Sequence, residues 1–285
     1  MKTLIVTADD FGVSLPVNEA VENAHTNGIL SAASLMVGAP AFDDAVERAR
    51  RLPTLGVGIH LTMVDGRPVL PPEQVPGLVG PDGRFLNDPV RFGMALYFSA
   101  TLRRQVQAEI RAQFARFRDT GLTMDHINGH QHFHMHPVMS RLIAEVAPRF
   151  GFPPVRIPFE PFGPSYRANG DKLGTRAWNA LFFGAQTFLL RRRMKKAGVP
   201  VNDIVFGLND SGAMIEQRVL AFVDALPDGV TELYGHPATR RWQGADNLPV
   251  HYEIVDEYKA LISPAVVAKL KAANVRSVPF RAAFT

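Results

Sequence analysis

MKTLIVTADDFG, residues 1–12, sets a short apolar run directly against two aspartates. Residues 4–7 read as a first β-strand, which puts Asp9 and Asp10 at its C-terminal end. That is the edge on which parallel β/α folds assemble their active sites. Adjacent carboxylates repel, so the pair asks for a cation or for two separate environments. The plainer alternative is a turn followed by a helix-capping aspartate. Asp10-Phe11-Gly12 spells the magnesium triplet of protein kinases, but no glycine-rich or catalytic loop can precede it so near the start, and that reading is set aside.

The same alternation of short β-branched runs and helical patterns continues along the chain. Strands are expected at 32–37, 57–61, 124–128, 155–157, 204–208, 232–234 and 275–278. Helices are expected at 16–27 (stopped by Gly28), 43–51, 103–120, 215–226 and 264–273. The pattern predicts an α/β fold, a modified (β/α) TIM-like barrel of seven or eight mostly parallel strands forming one domain over 1–285. Insertions near 64–104, whose proline- and glycine-rich part is 64–89, and near 160–200 break the rhythm, and are expected to lie over one barrel face as substrate-shaping loops.

The chain has 285 residues, 46% hydrophobic and 20% charged, which suffices for a sizeable core. It contains no cysteine, which removes disulfides, thiolate ligands and cysteine nucleophiles, so any metal site must use nitrogen and oxygen. A net charge of +4 without a nucleic-acid-binding motif reads as a solvated basic surface. The N-terminal apolar run is too short for a signal peptide and no stretch of about 18 apolar residues spans a bilayer, so a cytoplasmic protein is expected. Nothing in the sequence bears on oligomeric state.

Two further strand ends carry chemistry. His60 closes the third strand, where a lone histidine would ordinarily be core. After the fourth comes NGHQHFHMHP, residues 128–137, with His130, His132, His134 and His136 on alternate positions. In an extended backbone these would share a face and offer imidazoles to a metal. Spacing alone does not choose among the first three, and His136, before Pro137, suits a helix start. His236, in YGHP at 234–237, would reach the same rim. Two histidines and one carboxylate suit a divalent ion that activates water, leaving the second aspartate as general base and His236 as general acid.

TADDFG (7–12), GIHL (58–61), GHQHFHMHP (129–137) and GHPA (235–238) occur in this order over nearly the whole chain, which thereby resembles the YdjC-like carbohydrate deacetylases, relatives of chitooligosaccharide deacetylase. Within them it is most similar to the hopanoid-biosynthesis-associated deacetylases, through NEAVENAHTNGILSAASLMVGAPA and FGLNDSGAM. The resemblance implies hydrolysis of an N-acetyl group from an amino sugar. It implies Asp9 as base, His236 as the histidine assisting the leaving amine, and Asp10, His60 and His130 as ligands of one divalent metal ion. Zinc suits that donor set best, with magnesium, nickel or cobalt as alternatives. Arg156 matches a family arginine near the site, and His132 and His134 join it as expected substrate contacts. Many relatives carry Asp-Ser where this chain has Asn128-Gly129, which removes a carboxylate able to orient a ligand imidazole.

AWNALFFGAQTFLL (177–190) followed by RRRMKK, with the apolar stretch 92–102 ahead of Arg103 and Arg104, reads either as a core helix with a solvated basic end or as an interfacial element on an anionic membrane. These segments favour an N-acetylglucosaminyl lipid, such as a hopanoid, over a soluble chitooligosaccharide. Rival readings are a non-haem iron oxygenase using a two-histidine, one-carboxylate triad, and a metal- or membrane-binding protein without turnover.

Overall fold

The computed structural model describes every residue except Ala245 and Asn247. Among the described residues seven strands form one parallel sheet: β1 (Lys2–Phe11), β2 (Ala32–Leu35), β3 (Gly56–Leu61), β4 (Ile127–Gly129), β5 (Ile204–Phe206), β6 (Gly229–Gly235) and β7 (Arg276–Ser277). Their order is β4-β3-β2-β1-β6-β5. β6 occupies one edge of β1 from Lys2 to Ala8. The other edge is shared, with β7 beside Thr3 and Leu4 and β2 from Thr7 onward. The sheet curls, and residues 155–159 span the opening between its outer strands. Val155 bridges to Ile127 on one side and Val201 on the other, and Val205 N–H donates to the Phe159 carbonyl. The expected strand at 155–157 is thus reduced to isolated bridges. Pro153, Pro154 and Pro158 flank it, and proline cannot donate to a ladder.

The α/β architecture agrees with expectation, and the helices are α1 (Leu15–Asn27), α2 (Phe42–Arg51), α3 (Pro89–Phe98), α4 (Ala100–Asp119), α5 (Pro137–Val146), α6 (Phe162–Asn169), α7 (Leu173–Lys196), α8 (Glu216–Asp224), α9 (Ile254–Ile262), α10 (Pro264–Ala272) and α11 (Phe280–Ala283). Ser14, Asp88, Ser99 and Ser263 cap α1, α3, α4 and α10 by accepting backbone N–H groups of the first turn. Gly28 ends α1 without a left-handed residue; a Cβ there would lie 2.2 Å from the Leu261 carbonyl, so close approach to α9 is what requires glycine.

The core lies between the sheet and this helical layer, with Leu4, Val6, Ile59, Ile127 and Phe206 fully buried. Burying such side chains contributes about 1.5–3 kcal/mol each. The second insertion differs from the expected loop, since most of it is the helix pair α6 and α7. The inner face of α7 carries Arg176, fully buried, which pairs with both Asp210 oxygens at 2.9 Å and with Asp171 at 2.6 Å. Arg176 also donates to Ser165 at 2.6 Å, and Ser165 bonds Glu160. Glu160 accepts from Leu208 N and Asn209 N at 2.8 and 3.1 Å. The helical insertion is thereby fastened to the loop that follows β5.

Candidate active site

β1 delivers two consecutive carboxylates to one pocket by breaking its own regularity. In a regular strand Asp9 and Asp10 would point to opposite faces. The β1–β2 register advances from Ala8↔Ala33 to Phe11↔Leu35, so β1 holds one extra residue there, a bulge. Asp10 sits at φ +62°, in the left-handed region that costs a non-glycine residue of order 1–3 kcal/mol. The bulge turns both side chains into a pocket that they line with His60, His130, His132, Tyr234, His236 and Tyr252.

Asp10, His60 and His130 each offer one ligand atom, all within 4.8 Å of one another. The Asp10 Oδ1 lies 3.4 Å from His60 Nε2 and 3.1 Å from His130 Nδ1. Burial alone would raise the Asp10 carboxyl; the charges and hydrogen bonds of His130 and His60 outweigh it and hold Asp10 well below the usual carboxylate range. The Asp10 Oδ2 is buried without a hydrogen-bond partner among the described residues. Two imidazole nitrogens, an ionised carboxylate and a spare buried oxygen are a donor set that fits a divalent cation.

Asn128 takes up the task left by the missing carboxylate. His60 Nδ1–H donates to its Oδ1 at 2.7 Å, which leaves His60 Nε2 as an acceptor facing Asp10. The amide orientation follows from its other partners, since Nδ2 donates to Asp9 Oδ1 at 3.3 Å and to Ser34 at 2.8 Å. The wire continues from Ser34 to His126 (3.0 Å) and on to Asp125 (3.0 Å). Gly58 makes room for it, because a Cβ there would stand 2.5 Å from the His126 ring. Asn128→Ala is expected to weaken zinc binding about 10–100-fold, measured by calorimetric titration of metal-stripped protein. Unchanged affinity would mean that His60 is oriented by packing alone.

Asp9 is held from behind. Arg156 donates from NH1 to Asp9 Oδ2 at 2.6 Å and from NH2 to Oδ1 at 2.9 Å, and its other side meets Glu232 at 2.6–3.0 Å. The guanidinium also lies 4.5 Å from the centre of the Tyr234 ring. Burial would raise the Asp9 carboxyl, but Arg156, with His60 beside it, holds it well below the usual range, so it is ionised at neutral pH. Across the sheet Ala8 pairs with Gly235, which sets Asp9 and His236 at one level. The backbone N–H of His236 donates to Glu257, a buried side chain that also accepts from Met214 N at 2.8 Å.

The histidine run is not extended. Gln131 and His132 adopt φ +50° and +55° within a 3₁₀ turn, so the four imidazoles separate. His130 joins the triad. His132 receives the Tyr234 hydroxyl at 3.0 Å, and burial keeps its pKa well below the ordinary value, so the ring is neutral. His134 Nε2–H donates to the Arg156 carbonyl at 3.0 Å, its pKa pushed by burial down to about 3. His136 caps α5 through Val138 N and donates to the Gly93 carbonyl at 3.1 Å. Arg156 and His134, expected among the substrate contacts, are instead fully buried and outside the pocket lining, whereas His132 is part of it. Sequence reading also missed Glu232 and Glu257, polar residues with no motif around them, and gave no role to Ser34 or Tyr234, which stand inside quoted motifs.

The chain matches the family model described as YdjC-like protein over residues 3–272. It belongs to the YdjC-like family. This YdjC-like chain is 30% identical to a carbohydrate deacetylase of Geobacillus stearothermophilus over 278 residues, 97% of this chain and 96% of that one. It is 41% identical to a carbohydrate deacetylase of Brevibacillus brevis over 156 residues, a match that spans 55% of this chain and 59% of that relative. A carbohydrate deacetylase of Mus musculus is 30% identical over 94% of this chain and 90% of its own. In fold it is similar to the crystal structure of a protein from Enterococcus faecalis V583 described as a cellobiose-phosphate cleavage protein, with a TM-score of 0.75 and 23% identity over 99% and 98% of the two chains.

Proposed function

We propose that this protein is a metal-dependent carbohydrate N-deacetylase that hydrolyses the acetamide of an N-acetylglucosamine-bearing substrate to acetate and the free amino sugar. The observation that carries this reading is the meeting, in one pocket, of the Asp10-His60-His130 triad with a second carboxylate, Asp9, held ionised by Arg156. The curated relatives named carbohydrate deacetylase support it.

Asp10, His60 and His130 would hold the ion, and zinc suits these donors best. When bound, such an ion lowers the pKa of water and polarises an amide carbonyl. Asp9 accepts the proton of the attacking water, while Arg156 and Asn128 fix the carboxylate's position. His236 donates a proton to the departing nitrogen so that a neutral amine leaves. The Tyr234 hydroxyl, raised well above its ordinary pKa by burial, stays protonated and keeps the neutral His132 in place on the pocket wall. Val13, Met36 and Leu248 supply an apolar wall for the acetyl methyl group. His134 and Arg156 serve from behind, as positioning residues.

The substrate reading is a lipid-linked amino sugar, such as an N-acetylglucosaminyl hopanoid, reached at the membrane surface. It is supported by the apolar stretches 92–102 and 177–190 with their flanking cations. Among the described residues no helix is long and apolar enough to cross a membrane, so contact would be peripheral. The test is acetate release from an N-acetylglucosaminyl lipid and from N,N′-diacetylchitobiose by metal-stripped and zinc-restored protein. Zinc-dependent release is expected from the lipid, faster than from the disaccharide. Release from the disaccharide alone would make the substrate a soluble oligosaccharide, and release from neither would remove the deacetylase reading.

A further inference from the structure

A surface helix ordinarily hides its apolar stripe and shows its charges. α7 departs from this. Its inward side buries Arg176 and Thr187 beside Leu190 and Met194, while Trp178, Leu181, Phe182, Phe188 and Leu189, at helical spacing, face out. Leu181 is 73% exposed. α3 repeats the arrangement with Val90, Met94, Tyr97 and Phe98, of which Phe98 is 83% exposed. Most of the large apolar side chains exposed among the described residues sit on these two helices.

Both helices touch one segment. Phe92 of α3 stacks on Phe133, and Tyr97 lies against His136. Arg193 of α7 donates to the Pro137 carbonyl at 2.8 Å and also bonds Ser140. The same segment begins with the turn that carries His130 and His132 into the pocket.

The cations are divided in the same sense. Arg191 and Arg193 are spent on backbone carbonyls of neighbouring segments. Arg192, Lys195 and Lys196 are exposed, and their side chains have no partner among the described residues. Neither α3 nor α7 contains an aspartate or glutamate. A second copy of this chain laid against this face would bring cations to an apolar surface with nothing to neutralise them. An anionic bilayer matches both halves, acyl chains for the rings and headgroups for the cations.

We infer that the outward faces of α3 and α7, with Arg192, Lys195 and Lys196, form a docking surface for an anionic phospholipid bilayer. This deepens the lipid-linked substrate reading and rests on it for its purpose, since docking would bring the pocket to headgroups. The experiment is independent of turnover: co-sedimentation of the full chain with vesicles of phosphatidylcholine alone and with phosphatidylglycerol added. Wild type is expected to bind the anionic vesicles at least tenfold more tightly. Arg192→Ser/Lys195→Ser/Lys196→Ser is expected to bind about a hundredfold more weakly, at roughly a factor of five per cation near an anionic surface. Leu181→Glu/Phe182→Glu is expected to abolish binding while thermal unfolding stays as in wild type. Equal binding to neutral vesicles, or none to either, would overturn the proposal. So would a dimer in sedimentation equilibrium that Leu181→Glu/Phe182→Glu dissolves. Acetate release from diacetylchitobiose, measured on the same variants, reports the deacetylase reading separately, because neither set of residues lines the pocket.

Discussion

Asp9→Asn is expected to lower kcat by about 10²–10⁴-fold, the usual contribution of a positioned general base, while bound metal stays at the wild-type level. The reason lies in the division of labour between neighbours. Asp10 faces His60 and His130, whereas Asp9 faces Arg156 and Asn128, so the substitution leaves the triad intact. An asparagine at this position would turn an amide N–H₂ or a weaker acceptor toward a guanidinium. The cost in stability is about 1–3 kcal/mol, small enough for the variant to be purified and assayed. Acetate release and metal content measured on the same preparation separate the two roles. Retained activity would remove Asp9 as the base; loss of metal together with activity would make it part of the ion's binding.

Arg156→Gln is expected to be the most destabilising single change near the site, by about 3–5 kcal/mol at neutral pH. Arg156 is the shared cation of Asp9 and Glu232, and all three are buried. Without it two carboxylates face each other out of water. The pH dependence should change sign with it. In wild type the Asp9 pKa is held below its unfolded value, so its contribution is present above that value, about 3.9, and is lost as pH falls through the folded value. In the variant burial and repulsion raise the carboxyl pKa instead, so stability is lost as pH rises through the raised value. Urea unfolding at pH 5 and pH 8 reads this directly. Arg156→Met combined with Glu232→Leu should recover part of the loss, because it removes one charge of the unbalanced pair. A loss under about 1 kcal/mol for Arg156→Gln would mean that water reaches Asp9 and replaces the guanidinium.

Asp9, Asp10 and His60 were legible because an apolar run meets an abrupt polar residue, His130 because it opens a histidine run after a strand, and His236 because it follows a late strand, patterns that survive without knowledge of neighbours. The aim of those side chains was not. Alternate histidines share a face only in extended backbone, and positive φ at Gln131 and His132 sends the imidazoles to four different partners. The bulge at Asp9 and Asp10 is likewise a property of pairing with β2, which no local signal in TADDFG reveals. Arg156 read as a strand residue near the site; its partner Glu232 lies 76 residues on, and its burial depends on two other strands. The segment around it failed as a strand for a reason that was readable, the prolines on both sides. The role of Asn128 was read as a loss, because an amide oxygen can stand in for a carboxylate only if its nitrogen has somewhere to donate, and that place, Ser34 and Asp9, comes from two other strands.

β1 pairs with β2 and β7 on one edge and with β6 on the other, and β6 and β7 come more than two hundred residues later in the chain. Synthesis runs from the N-terminus, so a chain still on the ribosome can pair β1 with β2, β2 with β3 and β3 with β4, and bring Asp10, His60 and His130 together before β6 exists. One edge of β1 meanwhile stays open to whatever strand it meets. Glu232 and His236 arrive only with β6, and until then Arg156 has one carboxylate rather than two. An unfinished chain can therefore assemble the Asp10-His60-His130 triad before His236 joins Asp9 in the pocket, and the last strands to emerge both close the exposed edge and complete the pocket.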